Sequence, residues 1–360
     1  MYSDYLSMKE HILPKPVSSH EITIYERGKE RIITPIHVKD RLLQKIICDY
    51  ALTPILTPKL IYDNGASLEG KGVQFSRQRL NKHLIKAIKE YGSDFYVLSF
   101  DFKSYFDSIP HSTCRMMLAR YIEDKDIVEM AMEMIKSPHK AKILKIKDKK
   151  KKDEELLKLN NDEYKGICLG SQVSQIMALI VASDLDHYIK DVAKRKYYDR
   201  YMDDGDIFGK TKEELVELLE EMKKVCDALG LVLNEKKTRI SKISSGFTFL
   251  KVRYRVTDSK KIVKKMARRG ITKMRQKLKK FRNKVDKHEM TLDNVYDSFQ
   301  SWLEHSKIAN SYNTVKSMLR LYIELFDGYR ITKAWKNKQR RNKNVLQADK
   351  WAKYRWGCVA

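Results

Sequence analysis

Two acidic clusters lie far apart in this chain, and each stands at the end of an apolar or aromatic run. Asp101 follows the run VLSF, while Asp203 and Asp204 follow an aromatic run that ends at Met202. Both runs are short and have the composition of β-strands. Carboxylates that folding brings together repel one another unless a cation lies between them. The clusters therefore favour a fold in which two strands end at one shared metal site.

The second cluster lies in a segment that predicts a β-hairpin. Residues 196–209 read KYYDRYMDDGDIFG, which is a strand, a tight acidic turn and a second short strand. Magnesium prefers oxygen ligands, and two ions about 4 Å apart hold the attacking and leaving oxygens in nucleotidyl transfer. We therefore expect two Mg²⁺ ions, for which Mn²⁺ can substitute. A lone acidic pair is more often a solvated turn, so this expectation depends on both clusters.

Three further motifs accompany the two clusters, and the five occur in a fixed order. They span residues 100–107, 168–175, 201–204, 229–238 and 246–251. In order and spacing they resemble the palm motifs of reverse transcriptases, with Tyr201–Asp204 as the Tyr-x-Asp-Asp box. The resemblance implies an α+β right-hand polymerase with fingers, a palm built on an antiparallel sheet with the acidic hairpin, and an α-helical thumb.

The same resemblance predicts the organisation of the chain. The predicted parts are fingers and N-terminal region at 1–98, palm at 99–256, helical thumb at 257–330 and a basic aromatic tail at 331–360. Within the palm, the Lys-rich stretch 140–161 predicts an exposed hairpin or insertion. Its lysines are either a contact surface for template RNA or a solvated loop.

One motif departs from the commonest family pattern. Many reverse transcriptases read Q-G-x-x-x-S-P, whereas this chain has Leu169 and Gln175 at the Gln and Pro positions. The variant resembles bacterial and phage enzymes of diversity-generating retroelements and of antiphage defence, including the abortive-infection and unknown groups. Without a visible maturase, endonuclease, protease or RNase H segment, we expect a core enzyme that copies a dedicated noncoding RNA in antiviral defence. The alternative is a mutagenic retroelement enzyme.

The resemblance implies roles for the residues at the catalytic centre. Asp101, Asp203 and Asp204, together with the carbonyl of Phe102, would bind the metal ions. Lys237 matches the motif lysine that protonates the pyrophosphate leaving group.

Phe106 matches the family position at which an aromatic ring lies beneath the incoming sugar. A ring there collides with a 2′-hydroxyl and selects deoxynucleotides, although an ordinary core phenylalanine fits the sequence too. Two other acids near the clusters, Asp107 and Asp206, are predicted to be turn or capping residues rather than ligands.

Other motif residues are implied to contact the substrate or the nucleic acid. Arg is well suited to a triphosphate because its fork binds phosphate oxygens bidentately, and Gly allows close backbone approach. The implied triphosphate and nucleotide contacts are Lys29, Arg31, Gly170, Gln172, Ser174 and Gln175. The implied nucleic-acid contacts are Arg41, Lys71 and Arg77, with Arg79 beside them, and Lys273, Lys277, Lys280 and Lys284 on one face of a thumb helix.

Net charge independently predicts a polyanionic partner. The formal charge is +26, and residues 260–284 hold 13 Lys or Arg and no acid. We expect an RNA template, a DNA product and dNTPs as partners, and leave open an accessory protein or a homo-oligomer. The 5 cysteines form no metal or disulfide pattern, and no signal peptide or membrane span is visible, so we expect a cytoplasmic protein.

Two other function classes share parts of this pattern. RNA-directed RNA polymerases also use paired aspartates, but more often carry Gly-Asp-Asp at the hairpin and no bulky ring at the sugar position. A non-catalytic RNA-binding protein on a polymerase scaffold would not need both metal clusters. Tyr201 and Phe106 argue against the first class, and Asp101 and Asp203 argue against the second.

Overall fold

The computed structural model describes residues 22–26, 29–33 and 38–331, which form two compact units that divide between Ile243 and Ser244. The strands of the first unit are β1 (Ile22–Glu26), β2 (Lys29–Ile33), β3 (Tyr96–Asp101), β4 (Tyr198–Tyr201), β5 (Asp204–Gly209) and β6 (Arg239–Lys242). The apolar alternation around Gly28 predicts a hairpin; β1 and β2 do pair antiparallel, and the turn at Gly28 lies outside the described residues. The other four form an antiparallel sheet in the order β4-β5-β3-β6.

Helices surround this sheet. They are α1 (Val38–Ile47), α2 (Thr53–Leu56), α3 (Val73–Tyr91), α4 (Tyr105–Ser108), α5 (His111–Tyr121), α6 (Lys125–Ile143), α7 (Lys149–Asn160), α8 (Gln172–Val181), α9 (Ser183–His187) and α10 (Lys212–Ala228). The main core joins Leu98 and Phe100 of β3 to Met177 of α8 and Leu218 of α10. None of the helices in the described ranges has the length and hydropathy needed to cross a bilayer.

The helical spacing of Leu42, Leu43, Ile46 and Ile47 predicts a helix from about Lys39 to Leu52 that buries this stripe and closes before Pro54, and the structure differs at its end. A π-helical turn at Cys48–Leu52 joins α1 to α2, so the helical path passes Pro54 instead of closing before it. Proline is tolerated there because it occupies a first turn, where its missing N–H has no partner to lose. The predicted buried stripe is also partly wrong, because Leu42 and Ile46 are exposed.

The Lys-rich stretch 140–161 is helical rather than a hairpin. Helix α6 extends to Ile143, and α7 begins after Asp148, whose side chain accepts a hydrogen bond from the amide of Lys151 at 2.9 Å. Buried Ile143 and Leu159 attach this helix pair to the unit. The exposed insertion is helical because Asp148 supplies an N-cap and the apolar anchors are spaced for helices, and template contact by its lysines stays a prediction.

The second unit contains a small sheet and a helical bundle. Its elements are β7 (Phe247–Phe249), β8 (Val252–Val256), β9 (Ile262–Met266), α11 (Arg268–Asp286), α12 (Leu292–Ser306) and α13 (Tyr312–Phe326). The strands pair antiparallel in the order β7-β8-β9, and the rings of Phe299 and Tyr322 stack at 4.3 Å in the bundle core. Because β7 and β8 pair with β9, residues 244–256 group with the helices, whereas the sequence assigned them to the palm.

Candidate active site

Antiparallel pairing of β3 with β5 brings the two acidic clusters together. Asp101 is the last residue of β3 and Asp204 the first of β5, and the two are directly paired across the sheet. The amide of Phe102 donates to the carbonyl of Asp203 at 3.3 Å, which joins the ends of the two strands. The predicted convergence of the two acidic clusters at the ends of neighbouring strands is therefore present in this fold.

The turn between β4 and β5 contains an unusual backbone conformation and a close backbone contact. Tyr201 pairs with Asp204, which leaves Met202 and Asp203 at the tip, and Met202 has a left-handed backbone with φ of 57°. Just beyond the turn, a Cβ at Gly205 would lie 2.4 Å from the ring of Phe100. Glycine is required there because the ring covers its backbone.

The electrostatics of the cluster indicate a cation site. Burial, the charge of Asp203 and a hydrogen bond with Asp101 raise the pKa of Asp204 to about 7. Asp101 is 4% exposed and is contacted by the ammonium of Lys237 at 2.7 and 2.6 Å. A raised pKa is expected where carboxylates are held close together and are buried away from water. An all-oxygen donor set of this kind fits Mg²⁺.

The ammonium of Lys237 therefore contacts a carboxylate of the predicted metal site. The hydrogen bond and charge of Asp101, opposed by burial, raise the pKa of the Lys237 ammonium. The lysine remains protonated at neutral pH and is able to donate a proton. Its transfer of that proton to pyrophosphate stays a prediction.

A second ionisable cluster, which the sequence did not reveal, joins Asp199 of β4 to His83 of α3. Among the described residues, Asp63, His83 and Asp199 have ligand atoms within 4.8 Å of one another, whereas Asp101, Asp203 and Asp204 do not form so tight a group. Two cations already neutralise Asp63: Arg79 Nε lies 2.6 Å and Lys190 Nζ 2.9 Å from its carboxylate. We interpret this cluster as a structural network.

A model of the reverse transcriptase (RNA-dependent DNA polymerase) family matches residues 13–291, which is more than half of the chain. The chain belongs to the reverse transcriptase family. No curated protein sequence matches it.

Two solved telomerase structures are similar to this chain. Telomerase from Candida albicans, in complex with a fragment of telomeric RNA, is 11% identical with a TM-score of 0.50, and the match covers 96% of this chain and 68% of that one. Apo telomerase from Candida tropicalis, truncated from its C-terminal domain, is 14% identical with a TM-score of 0.49, covering 70% and 56%. This chain thus spans about half to two thirds of those telomerase chains. At 11% identity, the match to the Candida albicans telomerase shows a shared fold alone.

Phe106, which is predicted to lie beneath the incoming sugar, is on the short helix α4. The ring is half-buried and meets Tyr105 edge-on at 6.0 Å. The Phe106 carbonyl accepts a hydrogen bond from the amide of Ile167 at 2.8 Å, so the segment that precedes the glycine motif fixes its backbone. A partly exposed ring is compatible with contact to a sugar, which stays a prediction.

The glycine motif leads into α8. Gly170 has φ of 100°, a left-handed conformation that favours glycine, and Ser171 caps the helix by accepting from the amide of Ser174 at 3.3 Å. Ser174 is buried, so its hydroxyl supports the loop rather than facing a template. Gln172 is half-buried and Gln175 exposed, and their predicted contacts with nucleotide and template stay open to test.

The predicted basic contacts differ in their surroundings. Lys29 and Arg31 lie on β2, but their side chains fall outside the described part of the chain, while Arg41 is exposed and Arg77 half-buried. Lys71 donates to the carbonyls of Tyr62 and Asn64 at 2.8 and 3.0 Å. Because its ammonium already donates these two hydrogen bonds, Lys71 stabilises the fold, and its predicted phosphate contact stays untested. Arg79 has a similar structural contact, since its Nε donates to Asp63.

Helix α11 of the second unit has the predicted two-faced character. Met274 and Leu278 are buried in the bundle core. The four predicted contact residues are all exposed: Lys273, Lys277, Lys280 and Lys284. One helix face thus packs while another presents positive charge.

Asp206 departs from its predicted role. It lies within β5, fully buried, where it pairs in register with Asp199 and accepts a hydrogen bond from the hydroxyl of Ser99. Burial raises the pKa of its carboxyl well above the usual value. The sequence assigned Asp206 to a turn because the signal for burial is its partner Ser99, far away along the chain.

Proposed function

We propose that this chain is an RNA-directed DNA polymerase that joins deoxynucleotides by two-metal nucleotidyl transfer. The observation that carries the proposal is the register of β3 and β5, which pairs Asp101 with Asp204 and places Asp203 beside them. Membership of the reverse transcriptase family supports the same reaction. The proposal covers this chain alone, since it spans only part of the telomerase chains it resembles.

Each residue of the site has a defined task in this mechanism. Asp101, Asp203 and Asp204 would hold the metal ions, with the carbonyl of Phe102 as a further oxygen donor. When bound, magnesium supplies Lewis acidity that stabilises the charge developing on the transferred phosphate. Lys237 keeps its proton beside Asp101 and would donate it to the leaving pyrophosphate.

A primer-extension assay tests the activity. Purified protein is given an RNA template with a DNA primer and dNTPs, and DNA synthesis is compared between the parent and Asp203→Asn. The matched control is Asp227→Asn, on the exposed surface of α10. We expect synthesis to fall below one hundredth in Asp203→Asn, since an essential metal ligand is lost. Equal synthesis by both variants, or synthesis only from NTPs, would contradict the proposal.

For the biological setting, we propose a dedicated noncoding RNA template in antiviral defence, with the chain encoded by a bacterium or phage. The support is the departure at Leu169 and Gln175 from the common glycine motif. Mutagenic copying in a diversity-generating retroelement is the alternative.

Two observations separate these settings. Sequencing the nucleic acid that copurifies with the chain identifies what is copied. A structured RNA gene with toxin-like neighbours supports defence, whereas a template-repeat and variable-repeat pair beside the gene supports the retroelement.

A further inference from the structure

A fully buried ion pair lies directly behind the acidic turn. The side chains of Arg200 and Asp186 are both 0% exposed, and Arg200 Nη2 lies 2.6 Å from Asp186 Oδ2. Arg200 Nε also donates to both oxygens of that carboxylate, at 2.7 and 3.0 Å. Tyr198 donates its hydroxyl to the same carboxylate at 2.6 Å. Asp186 belongs to α9, so this pair links the hairpin to the helical layer.

The remaining nitrogen of the guanidinium reaches the turn. Arg200 Nη1 donates to the carbonyl of Met202 at 2.9 Å, while Nη2 also donates to the carbonyl of Leu179 at 3.0 Å. Met202 is the residue with the left-handed backbone, which is unfavourable for a side chain with a Cβ. Its carbonyl immediately precedes the amide of Asp203. The Arg200 side chain thus touches the peptide whose orientation sets the direction of Asp203.

The backbone of Arg200 is held independently. Its amide donates to the carbonyl of Asp63 at 3.3 Å, and its carbonyl accepts from the amide of Gly65 at 3.1 Å. These two bonds pair the outer side of β4, which is the edge strand of the sheet, with the segment 63–65. Strand position is therefore secured without the side chain, which leaves the guanidinium a separate role at the turn.

Burying two charges carries a large desolvation cost, and apolar pairs of similar volume often give equal or greater stability. Stability alone therefore does not account for charges at this place. We propose that Arg200, anchored by Asp186, is a positioning residue that holds the Met202–Asp203 turn so that Asp203 and Asp204 face the metal ions. It acts through the turn and contacts neither substrate nor metal. The proposal rests on the polymerase function proposed above.

The test compares Arg200→Lys with the parent. Lysine keeps the charge but cannot bind Asp186 bidentately and reach Met202 at once. We expect the Mn²⁺ dissociation constant, measured by electron paramagnetic resonance titration, and the Mg²⁺ concentration for half-maximal synthesis both to rise at least threefold. The kcat should fall by roughly 10- to 100-fold, because displacing reacting groups by about 1 Å costs that much. Affinity for primer–template should change less than twofold.

Two further variants separate positioning from simple stability. Tyr198→Phe removes one hydrogen bond to Asp186 but keeps those of Arg200, so its metal midpoint should match the parent even if its melting temperature falls. Met202→Gly placed in the Arg200→Lys background should recover part of the lost kcat and metal affinity, because glycine adopts the left-handed turn without a donor. A purely structural role predicts no such recovery.

Distinct results overturn the positioning role and the polymerase function. A folded Arg200→Lys protein with parental Mn²⁺ affinity and kcat would refute positioning. Failure of both Arg200→Lys and Asp186→Asn to fold would refute it too, since the pair would then be required by the whole unit. A parent protein that makes no DNA refutes the polymerase function, and the Mn²⁺ titration still decides the role of Arg200.

Discussion

The ammonium of Lys237 contacts both carboxylate oxygens of Asp101, at 2.7 and 2.6 Å. The loop that carries the lysine is itself fastened to β3, because the amide of Asn234 donates to the carbonyl of Asp101 at 2.7 Å. A further bond, from the amide of Lys237 to the carbonyl of Asn234, closes the loop at 3.0 Å. One loop thus sets both the end of the strand and the position of the cation.

Replacing Lys237 with Gln removes this proton donor and the positive charge beside Asp101. We expect kcat to fall roughly 100-fold, which is the lower end of what general acid catalysis contributes. Single-turnover dNTP incorporation measures the loss. Lys236→Gln, at the exposed neighbouring position, is the matched control and should keep parental kcat. Equal effects at the two positions would refute a specific role for Lys237.

Replacing Phe106 with Ala should weaken the discrimination against ribonucleotides. Loss of the ring leaves room for a 2′-hydroxyl, so the ratio of kcat/KM for dNTP over NTP should drop about 10- to 100-fold, the range for a steric pocket contact. Tyr121→Ala is the control, because Tyr121 is half-buried against the same core as Phe106. An unchanged ratio in Phe106→Ala would make Phe106 an ordinary core residue.

Gly205→Ala should destabilise the first unit. The new Cβ would lie 2.4 Å from the Phe100 ring, and overpacking of this kind costs about 1–3 kcal/mol. Gly270→Ala is the matched control, because a Cβ there meets nothing within 4 Å on helix α11 and should stabilise by up to about 1 kcal/mol. Urea unfolding measures both free energies. Equal signs for the two substitutions would contradict the packing seen at Gly205.

Stability should decline in mild acid because of two buried histidines. Burial lowers the pKa of His111 from 6.5 to about 4 and also lowers the pKa of His139, and both Nε2 atoms lie 2.9 Å from the carbonyl of Gly166. The unfolded chain therefore binds more protons below pH 6.5, so stability is complete above that pH and is lost as pH falls towards 4. Protonation of His111 alone lowers the free energy of unfolding by roughly 3 kcal/mol once the pH has fallen below about 4.

Melting temperatures between pH 7.5 and 4.5 check this dependence. His111→Gln should flatten the profile, since its amide donates to the same carbonyl without titrating. His187→Gln should make the profile steeper. Burial lowers the pKa of His187, but the hydrogen bonds to Lys59 and Asp191 outweigh burial and raise that pKa. A group whose pKa rises on folding adds stability at low pH. A parent profile that is flat across this range would contradict the burial of neutral His111.

The exposed lysines of α11 should determine the salt dependence of primer–template binding. Changing Lys273, Lys277, Lys280 and Lys284 to Gln should reduce the slope of log K against log salt by up to about 3.6, at about 0.9 for each of four phosphate contacts. Filter binding between 50 and about 200 mM salt measures the slope. The control changes four exposed lysines of the insertion to Gln: Lys147, Lys149, Lys150 and Lys151. A larger slope change in the control would show that the insertion, and not α11, supplies the main phosphate contacts.

The sequence predicts best where the signal is local or carried by ordered motifs. The helix with Lys273, Lys277, Lys280 and Lys284 on one face was predicted from helical spacing, and all four lysines are exposed on α11 in the structure. The acidic hairpin was predicted from alternating runs around a tight turn. In both cases residues near in sequence determine the local geometry.

The sequence fails where a residue's role depends on a distant partner. Asp206 is buried because Ser99 donates to it, and Lys71 is occupied by the carbonyls of Tyr62 and Asn64. Nothing in the periodicity around Arg200 indicates that Asp186, on another element, would bury its charge. Such pairings are created by tertiary packing and have no pattern within a short window.

The central claim is that Asp101, Asp203 and Asp204 bind divalent cations together. Anomalous diffraction from crystals grown with Mn²⁺ and a non-hydrolysable dNTP analogue tests it most directly. We expect Mn²⁺ peaks within about 2.5 Å of oxygens of all three carboxylates, the range for hard cations. Peaks confined to Asp63, His83 and Asp199, with none at Asp101, would contradict it.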